Sequence, residues 1–507
     1  MHSLTEDPLF HEILRARQRV YAMAQPTPLQ RMKIEGIGEI WIKREDVSPI
    51  HAYKWRGAYN KMAALDKADR SLGVITASAG NHAQGVALSA KMLGAQATIY
   101  MPRSTPQMKQ IAVQKHGGDA VDIRLEGDTF SESLAFAIEG GERTGKTFVH
   151  AYDDLTVMAG QGTLADEVVM SGQGPFDRAY IQVGGGGLAA GVACWLKVYY
   201  PGIEIIGVEG EDQASMQAAV QAGEPVTLDY VDVFCDGTAV RRAGDQTFGY
   251  CQKLIDRFVT VSNAEVSAAI KRYWETMRVI PEPSGALGLA GALRDGAAEK
   301  PGKTLCILCG ANMDLSMLTR IAATADVGSH AQRYFRFHID DHPGTLLSVL
   351  HTIPASLNVV DFRYGRTPRE AAPIVGLKGP SAGFEQFAEE IQCRENAIEE
   401  IEYGPDIEFG IIPFKPDPSK VMRFFKLEFH ERPGALSDFL STHQGEANIC
   451  FFKYAYSGET VGRALVGFEF LDETTASVFS QNVPRQAAGY RAIEDLGPDF
   501  VRQISEK

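Results

Sequence analysis

The chain has 507 residues and a mass of 55.3 kDa, room for about two to four domains and a sizeable core. Hydrophobic content of 45% and charged content of 22% are ordinary for a globular protein, and a net charge of −14 argues against a nucleic-acid or anionic-membrane surface, which would need clustered Lys and Arg. No run reaches about 18 consecutive apolar residues, the acid-bearing start Met1–Asp7 lacks the apolar core of a signal, and seven scattered cysteines suit a reducing compartment, so a cytoplasmic chain without a membrane partner is expected.

The first motif in chain order is Tyr53-Lys54-Trp55-Arg56-Gly57-Ala58. A lysine at a helix start is usually a solvated charge, but aromatic neighbours on both sides suit a desolvated amine of lowered pKa, a better nucleophile. Local sequence leaves both readings open. Apolar runs at 73–76, 97–101, 179–183 and 205–208 then alternate with helical stretches such as 81–93 and 188–199, the pattern of a parallel α/β sheet covered on both faces. Ligands of such sheets sit at the carboxyl ends of the strands.

Two motifs follow such runs directly. Ser78-Ala79-Gly80-Asn81-His82 opens a helix whose backbone N–H groups can bind a carboxylate, although Ser78 or Asn81 could equally be a plain N-cap. Gly184-Gly185-Gly186-Gly187-Leu188 links a strand to a helix, letting the backbone approach a phosphate beside a helix N-terminus; it is neither a Walker A loop nor a dinucleotide fingerprint. Lys303–Cys309 reads as a buried strand with Cys306 and Cys309 on opposite faces, not a redox or zinc pair, and it leads into Cys309-Gly310-Ala311-Asn312.

After about Ala325 the pattern changes. Residues 333–366 and 423–456 align without a gap at an offset of 90, with ten identities that include Phe362/Phe452 and Tyr364/Tyr454. Each copy reads strand, Pro-Gly corner with Pro in the first helical turn, helix, strand. A duplicated βαβ unit without an obvious nucleophile or base is expected to bind a ligand or a partner subunit. His338 and His342 have metal-like spacing, but the second copy offers Glu428 and Arg432 there, so no metal is expected.

On these motifs, residues 20–325 resemble the fold-type II pyridoxal phosphate enzymes, the tryptophan-synthase-β-like group, and within it the serine/threonine dehydratases. With the ACT-like C-terminal duplication, the whole chain looks like the biosynthetic threonine ammonia-lyases. The resemblance implies a parallel α/β catalytic region over 1–325 and an α+β tandem of ACT-like units over 326–415 and 416–507. It implies pyridoxal 5′-phosphate with Lys54 as Schiff-base lysine and base, Asn81 at the ring hydroxyl, Gly184–Leu188 around the phosphate, and Cys309 facing the pyridine nitrogen. Ser78, Ala79, Gly80, Asn81 and His82 would hold the substrate carboxylate. The implied reaction is β-elimination of L-threonine to 2-oxobutanoate and ammonia, the first step of isoleucine synthesis, in a homo-oligomer (dimer or tetramer). An isoleucine or valine effector would sit near Phe362, Tyr364, Phe452 and Tyr454.

Three departures stand out. Tyr53 replaces the Phe more usual beside the lysine; Ala79 replaces the Ser that related serine racemases use from the opposite face; and Gly365 and Ala455 follow the two tyrosines where the family usually has Arg, which questions the isoleucine response. His82 reads as a structural residue, and Glu282 in Pro281–Gly285 as a secondary one near the ring. A dehydratase for serine or another β-substituted amino acid is the alternative enzyme. A catalytically dead amino-acid sensor is the alternative outside catalysis, and the intact Lys54 argues against it.

Overall fold

The computed structural model describes residues 4–505 apart from 37, 368–371, 393–396, 433, 444–446 and 484–489. The chain forms two compact units, Met1–Gly328 and Ser329–Lys507. The boundary expected at 325/326 falls inside the helix Met317–Gly328, which belongs wholly to the first unit.

The first unit holds β1 (Leu29–Met32), β2 (Glu39–Arg44), β3 (Val74–Ala77), β4 (Ala97–Met101), β5 (Val121–Leu125), β6 (Thr147–Phe148), β7 (Arg178–Gln182), β8 (Glu204–Gly210), β9 (Arg257–Val261) and β10 (Lys303–Leu308). They make a six-stranded sheet in the order β1-β2-β10-β7-β8-β9 and a four-stranded sheet in the order β5-β4-β3-β6. Every pairing is parallel except β1 with β2. Side-chain alternation divides the larger sheet between two cores. Ile181, Leu305 and Ile307 face a cluster with Ile13, Met158 and Trp195, whereas Tyr180, Cys306 and Leu308 face one with Ile42, Ile206 and Leu289. The helix Gly187–Tyr199 is buried from Gly187 to Leu196, as its nearly unbroken apolar sequence requires. A Cβ at Gly191 would lie 2.3 Å from Met158 O, so glycine lets this helix rest against Leu155–Met170. Among the described residues no helix is long and apolar enough to cross a membrane.

The second unit is one eight-stranded antiparallel sheet built from β11 (Gln332–Phe337), β12 (Asn358–Gly365), β13 (Ile374–Lys378), β14 (Ile398–Ile401), β15 (Val421–His430), β16 (Asn448–Ala455), β17 (Val461–Phe470) and β18 (Ala492–Asp495). The repeat is larger than the βαβ visible in the sequence: each copy runs strand, helix, strand, strand, helix, strand. The two copies join through β12 and β16, in the register Phe362↔Tyr454 and Tyr364↔Phe452. Gly344 and Gly434 both take positive φ (+92° and +80°) as N-caps of Thr345–His351 and Ala435–Thr442, which places Pro343 ahead of its helix and not in the first turn.

Candidate active site

The ends of β3, β7 and β10 and the start of the helix Trp55–Ala64 converge on a cleft in the first unit. It is lined by Lys54, Asn81, Gly184–Leu188, Glu282 and Cys309 and encloses about 480 Å³, its open mouth included.

Lys54 stands at the N-cap of Trp55–Ala64, and the segment is tied down by the Tyr53 N–H donating to Cys309 O at 3.0 Å. The next two residues, Trp55 and Arg56, are fully buried, so the helix start is rigidly seated. Lys54 keeps some surface toward the cleft, and its Nζ donates one long hydrogen bond of 3.4 Å to Ala151 O. Burial pushes this amine down to about 8, although Cys309 and Glu282 pull the other way. The desolvated reading of Lys54 therefore matches its surroundings.

Neither Ser78 nor Asn81 caps the helix Asn81–Leu93. Gly80 is the N-cap and makes no side-chain cap bond; Ser78 Oγ accepts from the Gly80 N–H at 3.2 Å. The first N–H groups of a helix have no intrahelical partner, so this turn is available to an anion. Ser78, Ala79 and Gly80 are half-buried in it, and a Cβ at Gly80 would meet nothing within 4 Å. Asn81 lines the cleft. The His82 side chain is turned elsewhere: its Nε2 lies 3.0 Å from Val149 O and 3.1 Å from Thr76 Oγ1. Burial, helped by Lys54, pushes His82 down to about 3, so it is neutral and only its backbone remains for an anion.

The glycine run follows β7. Gly186 (φ +92°) is the N-cap of Gly187–Tyr199, again without a side-chain cap bond. A Cβ at Gly185 would lie 2.3 Å from the Tyr152 ring, and one at Gly184 2.9 Å from Thr238 Cα. Contact with Tyr152 and Thr238, which line the same cleft, thus demands glycine here even before any ligand is considered. Thr247 Oγ1 donates to Gly185 O at 2.6 Å and steadies the loop.

Cys309 follows β10 and is 3% exposed. Its Sγ donates to Ser284 O at 3.6 Å, while Cys306 Sγ donates to Gly288 O at 3.6 Å. Both thiols bond carbonyls of the helix Pro283–Arg294, yet they pack in different cores, Cys306 with Tyr180 and Leu308 and Cys309 with Leu305 and Ile307, as the strand's alternation separates them. Burial pushes the Cys309 thiol well up, so it stays neutral.

Sequence reasoning gave Glu282 secondary weight and Asn312 no role, yet Glu282 lines the cleft and Asn312 bonds to both Glu282 and Asn81. Glu282 is 3% exposed; its Oε1 accepts from Asn81 Nδ2 at 2.8 Å and its Oε2 from the Asn312 N–H at 3.0 Å. Burial and Asp236 push its carboxyl up to about 8 against these two donors and Lys54.

The residues picked out in the second unit part company. Phe362 and Phe452 meet edge to face at 5.3 Å inside the core, each 1% exposed, because they share the inward face of β12 and β16 with the tyrosines. Tyr364 lines a cavity of about 390 Å³ together with Asp340, Asp341, His342, His443 and Asn448. Its hydroxyl donates to Asp341 at 3.0 Å, and in the second copy Tyr454 donates to Glu431 at 2.8 Å. A Cβ at Gly365 would lie 2.2 Å from Pro413 O, so no larger residue fits there. Arg366 supplies the guanidinium instead, 2.6 Å from Asp341 and 2.5 Å from Glu469. His338 and His342 join no group of three metal-ligating side chains among the described residues.

Residues 21–310 match the family model of pyridoxal-phosphate dependent enzymes, and residues 419–495 match that of the C-terminal regulatory domain of threonine dehydratase. The biosynthetic L-threonine dehydratase IlvA of Pasteurella multocida is 39% identical over 492 residues, 94% of each chain. Among solved structures, the processed form of threonine deaminase isoform 2 from Solanum lycopersicum aligns with a TM-score of 0.60 and 41% identity over 62% of this chain and 93% of that one. Maize serine racemase aligns with a TM-score of 0.57 and 30% identity over 63% of this chain and 98% of that one. The chain belongs to the pyridoxal-phosphate-dependent enzymes and, within them, to the biosynthetic threonine dehydratase family. Its cleft fits that cofactor: a buried, weakly held amine, two helix N-termini without side-chain caps, a glycine loop and a neutral thiol all border one space.

Proposed function

We propose that this chain eliminates water from L-threonine and releases 2-oxobutanoate and ammonia, with Lys54 as both the cofactor's attachment point and the base. The observation that carries this reading is the desolvated Lys54 amine, pushed down to about 8 and bordered by Asn81, the glycine loop and Cys309. When bound, pyridoxal phosphate supplies an aldehyde that takes the substrate's amine and a ring that withdraws electrons from Cα. Gly184–Leu188 and the N-terminus of Gly187–Tyr199 hold its phosphate, Asn81 meets its ring hydroxyl and Cys309 its ring nitrogen.

The turn Ser78–His82 binds the substrate carboxylate through backbone N–H groups. Lys54 Nζ, freed as an amine, takes the Cα proton. The β-hydroxyl leaves as water, and one water is taken up when ammonia is released, so threonine balances against 2-oxobutanoate plus ammonia. Ala79 offers no proton donor or acceptor on the opposite face, which favours elimination over racemisation. Borohydride reduction of the loaded protein, followed by peptide mapping, tests the assignment: the cofactor's mass is expected on the peptide carrying Lys54, and its appearance on another lysine would overturn it.

A neutral thiol leaves the ring nitrogen unprotonated, which suits prompt departure of a β-substituent. Cys309→Ser is therefore expected to be nearly silent. Cys309→Asp is expected to lower kcat by roughly 10²-fold or more, the scale of one misplaced electrostatic contact. Comparable rates for the two variants would show that residue 309 does not face the ring.

The second unit is read as the receptor for an amino-acid effector, isoleucine or valine, in the cavity beside Tyr364. Such a ligand acts only by preferring one conformational state of the catalytic unit. With Gly365 unable to carry a side chain, and Arg366 already held by Asp341 and Glu469, a free guanidinium for the effector carboxylate is missing from this position. Isoleucine titrated against initial rate is expected to inhibit weakly, in the millimolar range or not at all. Sigmoidal threonine dependence with micromolar inhibition would contradict this.

A further inference from the structure

Asn312 joins two residues of the cleft lining, Asn81 and Glu282, in a hydrogen-bond chain whose polarity is fixed at one end. Ile50 O can only accept, so the Asn312 atom 2.7 Å from it is Nδ2, and this sets which way the Asn312 amide points. The same Nδ2 lies 2.8 Å from Asn81, whose nearest atom must then be Oδ1. Asn81 Nδ2 is thereby turned to Glu282 Oε1 at 2.8 Å, while Glu282 Oε2 takes the Asn312 N–H at 3.0 Å. A carboxyl group keeps acceptor capacity in either protonation state, so the polarity does not depend on the charge of Glu282. The chain uses one of the two Nδ2 protons of Asn81, a residue that lines the cleft with Lys54 and Cys309.

The backbone makes room for this carboxyl. A Cβ at Gly310 would lie 2.4 Å from Glu282 Oε1, and the Glu282 N–H donates to Gly310 O at 3.1 Å. Gly310 in the motif after β10 is thus required by Glu282, and the motif's other polar member, Asn312, completes the clamp.

We propose that Glu282 is a positioning residue: together with Asn312 it fixes the orientation of the Asn81 amide, so that one Nδ2 proton is held toward the ring of the bound cofactor. This rests on the reading that the cleft holds pyridoxal phosphate.

Glu282→Gln keeps the shape but replaces one oxygen by NH₂, which sets donor against donor at either Asn81 or the Asn312 N–H. The readouts are the visible absorption band of the loaded full-length protein without substrate, its cofactor dissociation constant by equilibrium dialysis, and steady-state rates. Glu282→Gln is expected to shift the band and weaken cofactor binding in the same direction as Asn81→Ala. It is also expected to lower kcat by up to about 10²-fold with KM for threonine little changed, the scale of roughly a 1 Å misplacement. The double variant Asn81→Ala/Glu282→Gln is expected to be no worse than Asn81→Ala alone. Asn312→Asp removes the donor to Ile50 O and Asn81, is expected to give the same signature, and decides the matter should Glu282→Gln not fold. Losses that multiply in the double variant, or an unmoved band with wild-type kcat in Glu282→Gln, overturn the proposal. A silent Glu282→Gln beside an inactive Lys54→Ala removes only this inference; an active Lys54→Ala removes the cofactor reading with it.

Discussion

Replacing Lys54 with Ala is expected to lower keto-acid formation by more than about a thousandfold, because one residue is lost both as the cofactor's covalent partner and as the base, and a positioned base alone contributes about 10²–10⁴-fold. The fold should survive. Lys54 Nζ makes one long hydrogen bond to Ala151 O, while the neighbouring Trp55 and Arg56 carry the packing. Circular dichroism and thermal unfolding are therefore expected to match the wild type while the rate collapses. A variant that keeps more than about a thousandth of the wild-type kcat would assign the base to another residue.

The second large effect concerns the ground on which Lys54 stands. Arg56 is fully buried and spans two carboxylates: Nε and Nη2 lie 2.8 and 2.9 Å from Glu45, Nη1 and Nη2 2.5 and 3.0 Å from Glu167. Lys43, equally buried, lies 2.5 Å from Glu167 and 3.7 Å from Glu45. Two cations and two anions cancel. Arg56→Ala leaves the carboxylates with one cation between them, and removing one partner from a buried network costs about 3–5 kcal/mol. That is a large fraction of the roughly 5–15 kcal/mol that separates folded from unfolded protein. The urea midpoint of the first unfolding transition is expected to fall steeply, and soluble yield with it. Glu167→Gln added to Arg56→Ala restores charge balance and is expected to recover part of the loss. A double variant no more stable than Arg56→Ala would show that lost packing, not charge, sets the cost.

The catalytic frame was legible in the sequence because parallel strands buried on both faces must be continuous apolar runs, and β3, β4, β7 and β8 overlap the runs read there. Glycine runs and a lysine between aromatics are local signals too. What stayed hidden depends on distant partners. Arg56 meets Glu167, 111 residues away, and Asn81 meets Glu282, 201 residues away. The N-cap at Gly80 was missed because Ser78 is chemically the better cap, yet its Oγ is spent on the Gly80 N–H. In the second unit the gapless alignment ended where the copies differ in length: residues 366–373 connect β12 to β13, but only 456–460 connect β16 to β17. The missing arginine at 365 had no visible cause until Pro413 O was found in its place.

The most direct test of the account is a substrate panel on the full-length protein loaded with pyridoxal phosphate. L-Threonine, L-serine and their D-enantiomers are supplied separately, and keto acid and ammonia are measured together. The account predicts 2-oxobutanoate and ammonia in equal amounts from L-threonine, with a higher kcat/KM than for pyruvate from L-serine and nothing from the D-forms. Loaded protein that releases no keto acid from either L-amino acid would contradict it.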